Sequence, residues 1–396
     1  MSKEPATVIL KSGKDQSPKR YHPWIFSGAI KKIKGSPAEG DLVRVVNNKD
    51  EFLGIGHYQP GSIAVRIVRF QDIIPDEAFW KKRIQDAYHL RASLGFTSSS
   101  ETTVYRLVHA EGDLLPGLIM DYYNGIVVMQ AHSVGMYLMK EVFVEALKEI
   151  YGDQLIAVFD KSSNSLPHKS DIEKEDGFLF GKAEPQIVKE YGNSFYIDWE
   201  KGQKTGFFID QRENRKLLGE FSRDKKVLNM FGYTGGFSIY AMQGGAKEVV
   251  TVDSSKTAID QTNQNVLLNY PKNLNHTSLA VDAFKYMDDM ESDFDIIILD
   301  PPAFAKHHNV LPNALQGYKR LNAKAIEKVK KNGFLFTYSC SQVVSKENFK
   351  KSVFAAAAST GRNVRILYQL SQPADHPVNI YHPESEYLKG LVLQVF

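Results

Sequence analysis

The chain is almost without cysteine, since Cys340 is the only one in 396 residues. An internal disulfide is therefore excluded, as is a zinc site built from several thiolates. A reducing, cytoplasmic compartment is expected. No run of about 18 apolar residues occurs, so no transmembrane helix is expected. The opening Met1-Ser2-Lys3-Glu4-Pro5 lacks the apolar stretch of a signal peptide. No low-complexity tract and no internal repeat interrupts an ordinary globular composition. Two nucleotide signatures are missing as well. The glycines of the turn after residue 230 are Gly232, Gly235 and Gly236, a spacing that does not fit G-x-G-x-x-G. No lysine followed by Ser or Thr closes that turn, which excludes a P-loop. His307 and His308 have no Asp, Glu or Cys cluster beside them, so no metal site is expected.

Charge is nearly balanced overall, at +3, but it is uneven. Residues 1–70 carry twelve basic and six acidic side chains, an excess of +6. A basic module on a near-neutral body fits a polyanion, and it fits a solvated lysine-rich face equally well. The same stretch is rich in short β-branched runs, Thr7 to Leu10, Asp41 to Val46 and Ile63 to Val68, separated by turn residues. A small barrel buries such strands. A helix over 76–95 follows. Residues 103–188 then mix strands with one helix from Val134 to Tyr151, and Lys161 to Asp176 reads as a polar surface loop. From about residue 190, strands and helices alternate, which implies a parallel sheet covered on both faces. The expected division is a β-barrel module over 1–72, a linker helix with a mixed α/β domain over 73–189, and a Rossmann-like α/β domain over 190–396.

Ligands of open α/β sheets bind in the crevice outside the carboxyl ends of the strands. Three strand ends here carry chemistry. Val227-Leu228-Asn229 opens into the turn Met230 to Phe237, whose glycines allow close backbone approach. Ile296 to Leu299 ends in Asp300-Pro301-Pro302-Ala303-Phe304, and Phe334 to Tyr338 ends in Ser339-Cys340-Ser341. Asp253 closes the strand after the glycine turn, where a carboxylate commonly holds ribose hydroxyls. Asp282-Ala283-Phe284 could place an acid near an adenine amino group and an aromatic ring beside the base.

These elements, in this order, resemble the class I methyltransferase fold that binds S-adenosylmethionine. The resemblance extends over nearly the whole chain. His22-Pro23-Trp24-Ile25-Phe26-Ser27-Gly28 looks like a PUA-domain opening. With Tyr105 to Asp113, Leu115 to Ile119 and Gly202-Gln203-Lys204-Thr205-Gly206, it is similar to the RlmI-like family of ribosomal RNA large-subunit methyltransferases. The resemblance implies an RNA-binding PUA domain, S-adenosylmethionine as cofactor, RNA as partner, and 5-methylcytosine formation as the best-known activity. It implies neither membrane nor metal and leaves a homodimer open. The cofactor residues it suggests are Gln211, Asn229, Phe231, Tyr233, Thr234, Gly235, Gly236, Asp253, Asp282, Ala283, Phe284, Asp300 and Pro301. Pro302, Phe304, Lys204 and Arg212 are the substrate-side candidates.

Carbon 5 of cytosine is a poor nucleophile until a thiolate adds to carbon 6. Cys340 is the one cysteine able to do so, and Asp300 could hydrogen-bond the ring N3 or the amine. A lone cysteine is often simply buried, but a strand's carboxyl end favours the nucleophile. Pro302 stands where many RNA cytosine methyltransferases carry a second cysteine. Two alternatives remain. An Asp-Pro-Pro-x-aromatic run also serves exocyclic amine methylation of guanine N2, and the fold could persist as a non-catalytic assembly factor. Trp24 and Phe26 are expected in the barrel core, although Tyr21, His22, Trp24 and Phe26 could also stack on RNA.

Overall fold

The computed structural model describes residues 5–167, 172–272, 275–305 and 307–396. The chain forms two compact units. One comprises residues 1–188, 197–209 and 374–385, and the other residues 189–196, 210–373 and 386–396.

The first unit holds two sheets, each on its own apolar core. Its amino-terminal sheet has six strands, in the spatial order Trp24–Phe26, Ile63–Arg69, Phe52–Tyr58, Leu42–Val46, Thr7–Leu10 and Ile30–Lys34. Val8, Leu10, Ile25, Val43, Val45, Val65 and Ile67 fill its interior. Phe26 is a correction to the expected core, because it is 46% exposed and Trp24 is half-buried. Side chains alternate along a strand, so once Ile25 faces the core, both neighbours on this edge strand face away. Trp24 Nε1 donates to Glu111 Oε1 at 2.8 Å. The second sheet has five strands, Val104–His109, Leu118–Tyr123, Ile126–Ala131, Ala157–Asp160 and Gly177–Gly181, packed with the helices Glu77–Ser93 and Lys140–Tyr151. The helix expected over 134–151 is broken at Met139 into Val134–Leu138 and Lys140–Tyr151. The loop expected over 161–176 falls partly outside the described residues and is irregular elsewhere.

The second unit is a seven-stranded sheet. Its strands are β1 (Lys226–Met230), β2 (Glu248–Asp253), β3 (His276–Ala280), β4 (Ile296–Leu299), β5 (Gly333–Ser339), β6 (Val364–Leu370) and β7 (Lys389–Val395). Their spatial order is 3-2-1-4-5-7-6. β1 to β5 run parallel, while β7 inserts antiparallel between β5 and β6. The helices are α1 (Arg212–Phe221), α2 (Gly236–Gln243), α3 (Lys256–Asn269), α4 (Ala283–Asp289), α5 (Leu311–Lys328) and α6 (Lys346–Thr360). β4 reads Ile296-Ile297-Ile298-Leu299 and is fully buried, as a central parallel strand covered on both faces must be. Strand order reverses between β1 and β4, and the crevice at such a switch point is where ligands bind.

Among the described residues no helix is long and apolar enough to cross a membrane.

Candidate active site

The turn after β1 is strained and braced. Phe231 (φ 59°), Tyr233 (φ 46°) and Gly235 (φ 79°) all lie in the left-handed region. Non-glycine residues persist there only when their surroundings over-determine them. The bracing is visible. Asp253 Oδ2 accepts from the Tyr233 N–H at 3.0 Å and its Oδ1 from the Ser255 N–H at 2.9 Å. Thr262 Oγ1 donates to the Tyr233 carbonyl at 2.7 Å, and Asn265 Nδ2 to the Thr234 carbonyl at 2.9 Å. Gly235 caps α2 without any side-chain cap, so the first N–H groups of that helix remain available to an anion. Beneath the turn, Asn229 is fully buried; its amide donates to Ser238 Oγ, and its Oδ1 has no hydrogen-bond partner among the described residues.

Asp282 lies beyond β3 and caps α4, its Oδ1 accepting from the Lys285 N–H at 2.9 Å. Its remaining oxygen is the one left for a ligand. Ala283 is buried, and Phe284 packs partly buried against the core, with Lys324 Nζ 5.8 Å from its ring centre.

A second group gathers at the ends of β4 and β5. Cys340 Sγ lies 3.9 Å from the Pro301 carbonyl oxygen. Ser341 Oγ donates to the Ala305 carbonyl at 2.5 Å, tying the two strand exits together. Asp300 is hydrogen-bonded to Gln211, whose Oε1 accepts from Asn214 at 2.6 Å. Burial, and then the Asp210 charge, push the Asp300 carboxyl up to about 7. Burial likewise pushes the Cys340 thiol up to about 12, with the Asp300 and Asp210 charges adding to the rise. At rest the thiol is therefore neutral, the opposite of the electropositive setting that activates cysteines. Lys389 on β7 is buried. Its Nζ donates to the carbonyls of Ser341 and Val344 at 2.6 and 2.7 Å, and burial holds it down at about 8.

Two of the substrate-side candidates, Arg212 and Phe304, make internal contacts. Arg212 is fully buried with Nε 3.5 Å from Glu190 Oε2, beside the bidentate Arg215–Glu190 pair. It serves an internal ion pair, not a surface that meets RNA. Phe304 lies tilted at 34° against Tyr318, ring centres 4.6 Å apart, and one edge of its ring lines Gly317, while the residue remains half-buried. Lys204 belongs to the first unit, where it is exposed and left-handed (φ 55°). Pro302 is exposed at the strand exit. Sequence reasoning missed Asp210, Tyr387 and Lys389. Asp210 directly precedes the chosen Gln211, whereas the two others lie in the last segments, whose strands show no motif.

A cleft with several polar residues lies elsewhere. It measures about 480 Å³ and is lined by Gln16, Ser17, Arg20, His22, Ile380 and Tyr381, all in the first unit. Volume alone does not make it the reaction centre, because its lining holds no thiol and no acid from a strand end. Close by, His22, His382 and Glu384 converge, with Nε2 of His22 3.4 Å from the Glu384 carboxylate. His22 Nδ1 accepts from the Trp24 N–H, which leaves the ring proton on Nε2, facing Glu384. A neutral imidazole in this tautomer donates a hydrogen bond towards the carboxylate, whereas a metal would need the Nε2 lone pair.

A family model described as S-adenosylmethionine-dependent methyltransferase matches residues 165–378. The chain belongs to this family. A PUA-like domain model matches residues 8–70. The methyltransferase chain is 38% identical over 396 residues to the ribosomal RNA large subunit methyltransferase I of Tolumonas auensis, covering 98% of this chain and 99% of the relative. It is 38% identical over 394 residues to the protein of the same name in Aeromonas salmonicida, covering 98% of each. Among solved structures, one described as a SAM-dependent methyltransferase from Streptococcus mutans superposes with a TM-score of 0.84 at 23% identity, covering 98% of this chain and 100% of that one. Another, a methyltransferase complexed with SAH, gives 0.85 at 23% identity with the same coverage. These likenesses carry the fold. S-adenosylmethionine is the cofactor, and the braced turn, the uncapped α2 and the orphaned Asn229 oxygen suit a ligand with both donors and an anionic end.

Proposed function

We propose that this methyltransferase forms 5-methylcytosine in large-subunit ribosomal RNA, with Cys340 as nucleophile. The observation that carries this reading is the place of the thiol. It lies at the end of β5 against the Asp300-Pro301 backbone, in a chain similar from end to end to ribosomal RNA large subunit methyltransferase I. When bound, S-adenosylmethionine supplies an electrophilic methyl group and a positive sulfonium. The cradle for it is Phe231, Tyr233, Thr234, Gly235 and Gly236, with Asn229 beneath, Asp253 on the ribose, and Asp282, Ala283 and Phe284 on the adenine side. Gln211 orients Asp300. Around neutrality a large share of Asp300 is the neutral acid, so it can donate to the cytosine N3 and make carbon 6 electrophilic. Cys340 then adds to carbon 6: its S–H bond breaks with loss of the proton to solvent, the carbon 6–sulfur bond forms, and the carbon 5–carbon 6 π pair shifts to leave carbon 5 nucleophilic. The raised pKa of the thiol means that the thiolate forms only when positive charge enters beside it. Methylation of an exocyclic amine would use the ring of Phe304, which lies tilted at 34° against Tyr318, and it is the competing outcome of the test below. RNA as partner rests on the +6 excess of residues 1–70 and on their PUA-like match.

The test is methyl transfer from labelled S-adenosylmethionine to large-subunit rRNA, followed by nucleoside mass spectrometry. The expected product is 5-methylcytidine, and N2-methylguanosine in its place would overturn the reading. Cys340→Ala is expected to abolish transfer while cofactor binding stays near micromolar, about −8 kcal/mol.

A further inference from the structure

With the thiol proton lost to solvent on addition, the proposed reaction still needs an acceptor for the carbon 5 proton. After methyl transfer, carbon 5 holds both a methyl group and its original hydrogen. Cys340 is then bonded to carbon 6, and Pro302 at the strand exit has no ionisable group. Asp210 sits in the single turn Ile209–Gln211 just before α1. Its Oδ2 accepts from the Tyr387 hydroxyl at 2.7 Å. Its Oδ1 is buried and has no hydrogen-bond partner among the described residues. A buried carboxylate oxygen without a donor is rare in native proteins and calls for a role.

Its place fits the reaction centre. Gln211, the next residue, is hydrogen-bonded to Asp300, and the carbonyl of Pro301 approaches Cys340. The Asp210 charge acts on both Asp300 and Cys340. Tyr387 occupies one oxygen and so leaves the other as the basic one. Asp210 is thus a carboxylate next in sequence to Gln211, the partner of Asp300, with its Oδ1 uncommitted.

We propose that Asp210, through Oδ1, is the base that removes the carbon 5 proton and so releases the enzyme from its RNA. The proposal rests on the Cys340 reading above. In the step, the carbon 5–hydrogen bond breaks and its electron pair forms the carbon 5–carbon 6 double bond. The carbon 6–sulfur bond breaks, and its pair leaves with sulfur as thiolate. The proton passes to Asp210, which returns it to Cys340 before the next cycle, while N3 gives its proton back to Asp300.

The experiment is single and multiple turnover of Asp210→Asn with unmodified substrate RNA and labelled S-adenosylmethionine. Multiple turnover should fall by about 100-fold or more, the usual scale of a lost general base. Labelled methyl should accumulate in a protein–RNA adduct that survives denaturation and disappears in Asp210→Asn/Cys340→Ala. Turnover at the wild-type rate, or slow turnover without that adduct, overturns the inference. RNA carrying 5-fluorocytosine separates the two readings. If wild-type protein is not trapped on it, the Cys340 mechanism itself fails. If it is trapped but Asp210→Asn builds no adduct on normal RNA, Asp210 alone is excluded. Should Asp210→Asn not fold, Tyr387→Phe decides. Losing the hydrogen bond that holds the carboxylate should slow release and make the labelled protein–RNA adduct accumulate, and turnover at the wild-type rate without adduct counts against the proposal.

Discussion

Asp253 and Asp300 stand at the carboxyl ends of β2 and β4 in one sheet, and their surroundings treat them in opposite ways. Asp253 gives each oxygen to a backbone N–H of the cofactor turn. Asp300 is pushed up to about 7 by burial and by the charge of Asp210. The contrast extends to their neighbours. Around Asp253, Thr262 and Asn265 hold the carbonyls of the turn, and Gly235 takes a backbone that other residues resist. Around Asp300, the thiol of Cys340 is displaced to about 12 and the ammonium of Lys389 to about 8, and Asp210 keeps an oxygen without a partner. Satisfied hydrogen bonds make a rigid receptor. Ionisable groups displaced by burial make a place where protons move, which is why shifted groups cluster at reaction centres.

The comparison breaks most visibly at Cys340. Cys340→Ala should remove methylation entirely while leaving cofactor affinity unchanged, by titration calorimetry. Residual transfer at the wild-type rate would place the chemistry elsewhere. Asp300→Asn comes next, with an expected loss of about 10²–10⁴ in rate. The same change should make Cys340 more reactive towards iodoacetamide at a fixed pH, because it deletes a negative charge that raises the thiol pKa. The opposite movements of these two rates distinguish an acid at work from a collapsed site. A stability signature accompanies them. With its pKa raised from 3.8 to about 7, the folded protein retains a proton that the unfolded chain releases. Asp300 therefore contributes stability that is present below about pH 4 and lost as the pH rises to about 7. Denaturant midpoints of Asp300→Asn should lack that decline. Gly235→Ala tests the rigid side. A Cβ there would lie 2.8 Å from Thr262 Cγ2, on a backbone with φ 79°, and a cost of about 1–3 kcal/mol is expected. An unchanged midpoint would mean that the turn yields.

The difference between the two regions also explains what the sequence made legible. The parallel sheet showed in the apolar runs at β1, β4 and β5, because strands buried on both faces need continuous Ile, Val and Leu. The cofactor turn showed because its glycines are punctuation. Phe52–Tyr58 escaped notice for the same physical reason. Gly54 and Gly56 interrupt it, yet a Cβ on Gly56 would meet the Arg66 carbonyl at 2.3 Å, so the glycines serve the close approach of the neighbouring strand. Cys340 and Asp300 were readable as residues next to strand ends, but their pKa values were not, because these depend on burial and on Asp210 across the fold. Tyr387 lies 177 positions beyond the Asp210 it binds, and nothing local in either segment announces that pair. Arg212 was readable as a residue that could pair with an acid, but its partner Glu190, brought in by the strand Gln186–Glu190, was not, because nothing local links the two segments.

The smallest effect expected is that of Asp253→Ala, and it bears most directly on whether the two regions are separable. The substitution frees the Tyr233 and Ser255 N–H groups. One lost hydrogen bond to a charged group is worth about 1.5–3 kcal/mol at most, and exposure to water reduces this. Cofactor affinity should weaken by about tenfold, the equivalent of about 1.4 kcal/mol, through a looser turn and a lost ribose acceptor. Asp253→Asn keeps one oxygen, and it should recover part of that affinity if the turn is what matters. The pH dependence of Cys340 alkylation should be identical in both variants, since Asp253 is not among the charges that raise the thiol. A shifted alkylation profile would mean that the turn and the reaction centre form one electrostatic system, and the division between a rigid receptor and a poised centre would have to be given up.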